Sequence, residues 1–476
     1  MTRTRPLLAL PALAATLLSG CNLAPPYARP STATVPASFK EAPGWRPATP
    51  SDAMAKGEWW TMFGDPVLDD LERRVIVSNQ NLAAAKATYD AARALVREQR
   101  AAALPTVSLQ ANANDSGGLA ANSSIKPAGS IQLGLQASWE PDLWGKIGNT
   151  VSQARAQAQG SEADLANATL SAQAELALDY VQLRGIEAQK VALDATVVDY
   201  ERALTITTNL YNAGVSARAD VLQAETALRN ARGDAADLIR QRALLEHAIA
   251  VLVGENPSTF SIAPAATWNR AVPEVPAILP GELIERRPDI ASAERGVAAA
   301  NANIGVQRAA FFPTIGLTGQ IGQQSSALGA LFGVASSAWS LGLTGALTLL
   351  DFGARTAKVD QARAQYAQTV AAYRQAVLTA FQQVEDQLAA VRVLDTVATE
   401  RAAAATAANA AERIARNQYG AGTVAYSSVI VAQNTALAAR NTDILAVVNR
   451  QVAAISLVQA IGGGWHTPDP RTPLPR

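Results

Sequence analysis

The chain repeats itself at a fixed distance. Gln99-Arg100-Ala101-Ala102 returns as Gln307-Arg308-Ala309-Ala310, Pro105-Thr106 as Pro313-Thr314, and Leu133-Gly134-Leu135 as Leu341-Gly342-Leu343. Gly145 returns as Gly353, the run from Gln153 to Gln157 as Gln361 to Gln365, Tyr211 and Gly214 as Tyr419 and Gly422, and Gly254 as Gly462. Every pair is separated by 208 residues, so the halves align without net insertion and the chain reads as a duplicated unit. Whatever one half folds into, the other must fold into as well.

Proline marks the connections between the folded parts. Residues 22 to 58 carry prolines at 25, 26, 30, 36, 43, 47 and 50, which suits an extended strap rather than a helix. Residues 257 to 288 and 465 to 476 are similarly rich in proline, whereas it is absent from 142 to 256 and from 314 to 467. Long helices are permitted only in those two stretches. From Lys146 to about Asn209 the sequence is Ala-rich, with Leu193, Val197, Tyr200 and Leu204 spaced along one helix face. A helix over that span would be roughly 96 Å long at about 1.5 Å per residue. The matching stretch from Ala354 to about Asn417 carries Tyr366, Val370, Tyr373, Val377, Phe381, Val384, Leu388 and Val391 at steps of 4 and 3, close to the helical period. A single domain is roughly 30 to 40 Å across, so such helices must project from it or line a tube. On helical pattern alone a coiled-coil stalk fits as well as a duct.

Four shorter runs alternate between apolar and polar residues. Val107, Leu109, Ala111 and Ala113 alternate with Thr106, Ser108, Gln110, Asn112 and Asn114, and Ile131, Leu133, Leu135, Ala137 and Trp139 with Gln132, Gly134, Gln136, Ser138 and Glu140. The second half follows with Ile315, Leu317 and Ile321, then with Trp339, Leu341, Leu343, Leu347 and Leu349. Each run has the length of a membrane strand, and Trp139, Trp339, Phe311 and Phe312 fall at strand ends, where an aromatic girdle would sit. A soluble sandwich with one wet face is the alternative, but nothing in the chain supplies a second sheet to cover these strands. Four strands cannot close, and an open edge is forbidden in lipid. Two copies would give an eight-stranded barrel that side chains fill; three give twelve strands and room for water. The strands therefore predict a homotrimer.

The N-terminus predicts export. Arg3 and Arg5 precede an apolar run from Leu7 to Leu18, then Ser19-Gly20-Cys21, the order of a secretory signal peptide. Cys21 is the one cysteine in the chain, and Leu18-Ser19-Gly20-Cys21 has the form of a bacterial lipobox, so Cys21 is the expected lipidation site rather than a chance thiol. With no second cysteine there is no disulfide framework, and stability must come from packing or assembly. No later apolar run is long enough for a transmembrane helix.

Charge and motif content exclude other classes. The 40 basic residues balance 40 acidic ones, so no nucleic-acid partner is expected. His247 falls in a helical run and His466 in the tail, with no Ser/His/Asp, HExxH or CxxC pattern, so no catalytic residue, metal ligand or cofactor is expected and the chain does not read as an enzyme.

With these features placed, the sequence resembles the outer-membrane efflux proteins of the TolC type, closest to the lipidated OprM/NodT branch that serves RND tripartite systems. The resemblance spans essentially the whole mature chain. It is carried by Trp59-Trp60 with Phe63, Asp65-Pro66 and Leu68, by Glu285-Arg286-Arg287-Pro288-Asp289-Ile290 with Ala293-Glu294, and by Ala300-Asn301-Ala302 running to Arg308-Ala309-Ala310-Phe311-Phe312-Pro313. It implies a mainly α fold with a membrane β part: a long α-helical barrel and a twelve-stranded β-barrel built from three protomers, with a mixed equatorial region. It also implies an outer-membrane location with a large periplasmic portion, contact with outer-membrane lipid, a periplasmic adaptor protein and an inner-membrane RND-type pump, and export of small molecules, including drugs. A type I protein secretion outlet and a non-conducting coiled-coil lipoprotein are the rival readings.

The expected layout is a signal peptide over 1–20, a lipidated strap over 21–58 and a first repeat over 59–256, with strands near 105–115 and 130–140 and a hairpin over 146–253. A connector over 257–288 leads to a second repeat over 289–464, with strands near 313–322 and 338–350 and a hairpin over 354–461, then a tail over 465–476. The hairpins are expected to reverse at Gly214 and Gly422, farthest from the strands, where relatives close the mouth with tyrosines and charged rings. Tyr419 and Tyr426 match that pattern. Ile430-Val431-Ala432-Gln433 departs from the Leu-Asp-Ala-Gln often found in relatives, so an acidic gate is not supplied by this hairpin. Tyr211 stands at the first turn as a further tip and gate candidate, and Arg218, Asp220 and Glu225 of the first hairpin either pair across to the second or are solvated tip charges.

Overall fold

The computed structural model describes residues 22–32, 35–41, 58–116, 128–265, 268–275 and 280–465; the signal peptide, Cys21 and His466 lie outside them. A 3-10 turn, Trp59–Phe63, leads into helices α1 (Pro66–Ser78) and α2 (Gln80–Ala101), strands β1 (Thr106–Ser116) and β2 (Ala128–Trp139), and helices α3 (Lys146–Asn212) and α4 (Arg218–Leu252). The second half gives α5 (Pro280–Arg286), α6 (Pro288–Ala309), β3 (Thr314–Ser325), β4 (Ser337–Ala346), α7 (Ala354–Gly420) and α8 (Tyr426–Ala460).

The duplication extends to element boundaries. α2 and α6 each have 22 residues, α3 and α7 each have 67, and α4 and α8 each have 35, with starts and ends displaced by the sequence offset. At about 1.5 Å per residue the two longest are each about 100 Å long. Glycine sets the breaks. Beyond α3, Gly214 has φ 75°; its N–H donates to the Tyr211 carbonyl and that of Val215 to the Leu210 carbonyl, both at 2.9 Å. Gly422, at φ 74°, repeats this paired closure with Thr423.

Gly254 and Gly462 end α4 and α8 in the same left-handed conformation, and there the backbone is also crowded. A Cβ on Gly254 would run into the Ser78 carbonyl, and one on Gly462 into the Arg286 carbonyl, the same contact in the two halves. Beside each, a side chain holds the helix end. Asn79 Nδ2 donates to the Leu252 carbonyl and Arg287 Nη1 to the Ala460 carbonyl, both at 2.8 Å. The orphan carbonyls of a buried helix end thus find partners within each half.

The main core is a belt across the middle of the long helices. Trp59, Trp60, Phe63, Leu68 and Val75 pack there with Leu176, Tyr180 and Leu183 of α3, Ile455 and Leu457 of α8, and Tyr373, Val377, Val384 and Leu388 of α7. The apolar stripe read on α7 is therefore its belt face, and Tyr366, Val370, Phe381 and Val391 pack at its margin. Leu193 and Tyr200 of α3 form a second cluster with Leu228 and Ala231 of α4, fastening the hairpin beyond the belt.

The four strands form one antiparallel sheet in the order β1-β2-β3-β4. β4 ends at Ala346, paired with Thr314, so Leu347 and Leu349 of the expected 338–350 strand lie past the ladder. The alternation continues, but the facing residue is Pro313, which has no N–H to donate.

Candidate functional site

Register assigns the strand side chains to two faces. Leu109, Leu135, Ile321 and Trp339 stand in one row across the sheet, and Trp139, Leu317 and Leu343 in another, so one face is apolar and exposed along the strands, with Asp115 on it only at the far end of β1. Gln110, Gln132, Gln136, Thr318, Gln320, Gln324, Ser340 and Thr344 stand on the other. That polar face carries no Asp, Glu, Lys or Arg among the described residues of the four strands. A sheet apolar on one side and uncharged but hydrogen-bonding on the other suits lipid outside and water inside.

The aromatic residues expected as a girdle fall on both sides of the apolar band. Trp139 sits at the end of β2 nearest the long helices, and its Nε1 donates to the Ala103 carbonyl at 3.0 Å. Trp339 stands on the same face at the far end, beside Ile321. Phe312 stacks on Trp144 at 4.9 Å between ring centroids, while Arg355 lies over the Phe311 ring at 5.2 Å. Trp144, whose Nε1 donates to the Pro313 carbonyl at 2.7 Å, was not singled out in the sequence. It lies outside the alternating run, so no local pattern marks it.

At the opposite end the hairpin turns enclose a groove of about 630 Å³ between the two halves, lined by Asp199, Leu210, Asp220, Arg416, Tyr419, Tyr426 and Gln433 among others. Tyr419 and Tyr426 are 5.3 Å apart between ring centroids, and Tyr426 packs on Ala224 and Val429. Burial, ahead of the nearby Tyr200, Tyr419 and Asp220, holds the Tyr426 phenol well above the ordinary tyrosine value, so it stays neutral. Neither hydroxyl has a hydrogen-bond partner among the described residues. Tyr211, Gly214 and Arg218 sit exposed at the first turn. Arg218 and Asp220 form no ion pair among the described residues, and Glu225 pairs within its own helix with Arg229 at 3.4 Å.

The ionic contact between hairpins comes from other residues, Asp199 and Arg416. Arg416 Nη1 and Nη2 bind the two Asp199 carboxylate oxygens, both at 2.9 Å, and Tyr200 Oη donates to Asn434 Oδ1 at 2.9 Å. Glu412 continues the chain, 3.5 Å from Arg416 and 2.6 Å from Arg440. The hydrogen bond to Asp199, more than any other influence, raises the Arg416 pKa, so the guanidinium stays charged. A signal did exist: the counterparts of Asp199 and Arg416 in the other half are Ala407 and Thr208, so the repeat diverges there into charge.

The strap before Trp59 lies along the second half. Arg308 Nη1 donates to the Leu23 carbonyl at 3.2 Å, Asn301 Nδ2 to the Pro25 carbonyl at 2.9 Å, and Tyr27 Oη to Glu294. Arg29 then meets Tyr373 at 3.2 Å, the Lys40 and Glu41 backbone N–H groups donate to the Glu385 carboxylate at 2.7 and 2.9 Å, and Phe39 is buried beside Phe381. Arg308, Asn301 and Glu294 belong to the segment that carried the family resemblance, and their task here is to hold the chain's own N-terminal segment.

No described helix is long and apolar enough to cross a membrane, and among the described residues no three His, Cys, Asp or Glu side chains gather as a metal site. Comparison with known proteins agrees with this geometry. The family described as outer membrane efflux protein matches residues 71–255 and 279–463, one span in each half. The chain is 32% identical over 473 residues to the probable efflux pump outer membrane protein TtgC of Pseudomonas putida, covering 97% of this chain and 96% of that one. It is 30% identical over 458 residues to the cation efflux system protein CusC of Escherichia coli, covering 96% and 98%. The solved structure of the outer-membrane channel OprN superposes with a TM-score of 0.86 at 28% identity, over 94% of this chain and all of that one. The family is one of efflux conduits rather than enzymes. The chain therefore belongs to the outer membrane efflux protein family and is the outer-membrane channel of an efflux system.

Proposed function

We propose that three copies assemble into a continuous passive duct, with the sheets closing a twelve-stranded barrel in the outer membrane and the long helices enclosing a periplasmic tunnel. The observation that carries this reading is the sheet itself. β1 and β4 each leave one edge unpaired, the face between them is apolar, and lipid does not tolerate an open edge. Three copies are the fewest whose closed barrel holds water.

The lipid anchor is Cys21, and the strap supports it. Arg308 and Asn301 hold residues 23 and 25 against the end of α6 next to β3, which leaves residue 22 at the membrane end of the helices. The hairpin tips then form the periplasmic mouth. Gly214 and Gly422 shape the turns, Tyr211, Arg218 and Asp220 front the first hairpin, Tyr419 and Tyr426 line the groove, and the Asp199–Arg416 pair holds the hairpins together. A periplasmic adaptor meets the duct at this end and couples it to an inner-membrane pump of the RND class. Trp139, Trp339, Phe311 and Phe312 border the lipid. The exported solutes are small molecules. The uncharged polar face in the barrel gives no reason to favour either sign of charge, and the relatives are named for exports as unlike as toluene and cations.

Native mass measurement on protein extracted from membranes in detergent tests the reading. It predicts three copies, each with an acyl mass that disappears in Cys21→Ser. A monomer released without detergent would overturn the barrel.

A further inference from the structure

Several polar groups at the hairpin tips are left unmet by the chain itself. Tyr426 and Gln433 are buried, at 2% and 3% exposure, yet Tyr426 Oη and Gln433 Oε1 have no hydrogen-bond partner among the described residues, and neither does Tyr419 Oη. All three residues line the groove between the hairpins, so these atoms are stranded beside a space rather than packed inside a core. Buried polar atoms are nearly always paired, and three unpaired ones around a single space call for a common partner.

The charges of the groove are equally uneven. Its charged lining residues are Asp199, Asp220, Arg202 and Arg416. Both guanidiniums are committed to Asp199, Arg416 through two bonds at 2.9 Å and Arg202 at 3.7 Å. Asp220 is half-buried, forms no ion pair among the described residues, and lies close enough to raise the pKa of both phenols, behind burial in each case. The unmet groups are therefore a carboxylate, an amide oxygen and two phenol oxygens. All of them accept hydrogen bonds, and Ile206, Val424 and Val429 beside them make the wall apolar.

What satisfies such a set is a positive charge that carries N–H donors on an apolar body. We propose that the groove is a binding site for small amphipathic organic cations, aromatic primary amines in particular, and that a bound cation pins the two hairpins together. The ammonium group donates to the Asp220 carboxylate and to Gln433 Oε1 and faces the rings of Tyr419 and Tyr426, whose centroids are 5.3 Å apart. The aromatic body lies on the apolar wall. A volume of about 630 Å³ is that of a site for a drug-sized molecule. An anion would meet Asp220 and find neither guanidinium free. A bare metal ion would find one unpaired carboxylate, and among the described residues no third acidic, His or Cys ligand gathers with others into a metal site.

The contacts come from all four long helices: Ile206 from α3, Asp220 from α4, Tyr419 from α7, and Tyr426 and Gln433 from α8. A ligand that touches both hairpins favours the arrangement already held by Asp199 and Arg416, and so opposes the separation of the tips. This consequence rests on the reading of the tips as the mouth of the duct, whereas the binding site lies within one chain and does not.

Tryptamine, an indole carrying a primary amine, serves as the probe, with the intact protein in lipid nanodiscs and empty nanodiscs as the blank. Saturable binding of one molecule per chain is expected in calorimetry, weakened about tenfold or more in Asp220→Asn and severalfold in Gln433→Leu. Gln433→Leu should keep the heat resistance of the parent, because it replaces an unpartnered buried amide with an apolar side chain. Indolepropionate, with the opposite charge, and ethylindole, with none, should bind far more weakly. Absence of saturable binding, equal affinity in parent and Asp220→Asn, or equal affinity for ethylindole overturns the site. In a planar bilayer tryptamine should shorten the openings of the parent and leave those of Asp220→Asn unchanged. Binding with the expected preferences but no effect on a conducting channel overturns the pinning, while binding by a protein that never conducts overturns the duct and leaves the site standing.

Discussion

At the end of α4 the amide of Asn79 holds the Leu252 carbonyl, and at the corresponding place in the second half the guanidinium of Arg287 holds the Ala460 carbonyl. Arg242 binds Glu187 in the first half, and its counterpart Arg450 binds Asp395 in the second. Yet Glu72 in the first half corresponds to Pro280, Arg218 to Tyr426, Asp220 to Ser428 and Gln433 to Glu225. The contrast separates two kinds of position. Where the backbone needs a partner or a glycine, the halves agree in geometry even when the residue differs. Where no such backbone demand acts, as at the buried Glu72 and at the tip residues Arg218, Asp220 and Gln433, they diverge. The strap adds to this asymmetry, because its bonds go to α6 and α7 of the second half.

The shared geometry is where the largest effects are expected. Gly462→Ala would both strain a left-handed position and press a Cβ on the Arg286 carbonyl, costing upwards of about 3 kcal/mol and preventing recovery of heat-stable assembly. Gly254→Ala should match it, because its Cβ would meet Ser78 in the same way. Gly422→Ala at the open tip should cost only about 1 kcal/mol, since nothing lies near its Cβ. Equal losses at 422 and 462, measured as heat resistance of the assembled species, would break the distinction.

Next come the helix-end holders. Asn79→Ala and Arg287→Ala each strand a buried carbonyl, at a cost of about 1–3 kcal/mol in denaturant unfolding. Each change removes a second contact as well, since Arg287 holds Asp289 at 2.6 Å and Asn79 Oδ1 caps α2 by accepting from the Asn81 and Leu82 N–H groups at 2.9 and 3.1 Å, so similar losses are expected. A large difference would show that the two halves do not use these residues alike.

Glu72 sharpens the comparison through pH. It is fully buried, neither carboxylate oxygen has a partner among the described residues, and burial, reinforced by Asp69, pushes its pKa well above the usual carboxylate range. The folded state therefore keeps a proton that the unfolded state releases above about pH 4.3. Stability from this group is fully present below that pH and is lost as pH rises through the folded value. Glu72→Gln should melt higher than the parent at pH 8 and close to it at pH 4; a variant less stable at pH 8 would contradict this assignment. The second half, with Pro280 at this place, has no equivalent dependence.

The smallest effect on stability is expected at the tip. Arg416→Ala removes a partly exposed ion pair and should cost less than about 1 kcal/mol. Its consequence is functional. The hairpins lose their ionic contact, and channel activity should rise while heat resistance stays nearly constant.

Much of this organisation was legible in the chain because it is periodic. The repeat offset, the helix-breaking glycines and the strand alternation all depend on near neighbours or on self-comparison. The rest depends on residues far apart. β4 stops at Ala346, where the next facing residue is Pro313, just before β3, although Leu347 and Leu349 continue the pattern. The path of the strap is set by Arg308, Asn301 and Glu294, 267 to 285 residues away. At the tip, Arg218 and Asp220 follow the first turn directly in sequence, whereas the pair that crosses between hairpins joins Arg416, beside the second turn, to Asp199, farther up α3. Only the place where the repeat turns to charge in one half could have pointed to it.

Conduction is the property a duct must have. Purified protein reconstituted in a planar bilayer, as parent and as Arg416→Ala, should insert as discrete ohmic steps, with longer or larger openings in the variant. Trimers that insert, by mass and by protection of the strands from protease, yet pass no current in either form would contradict it.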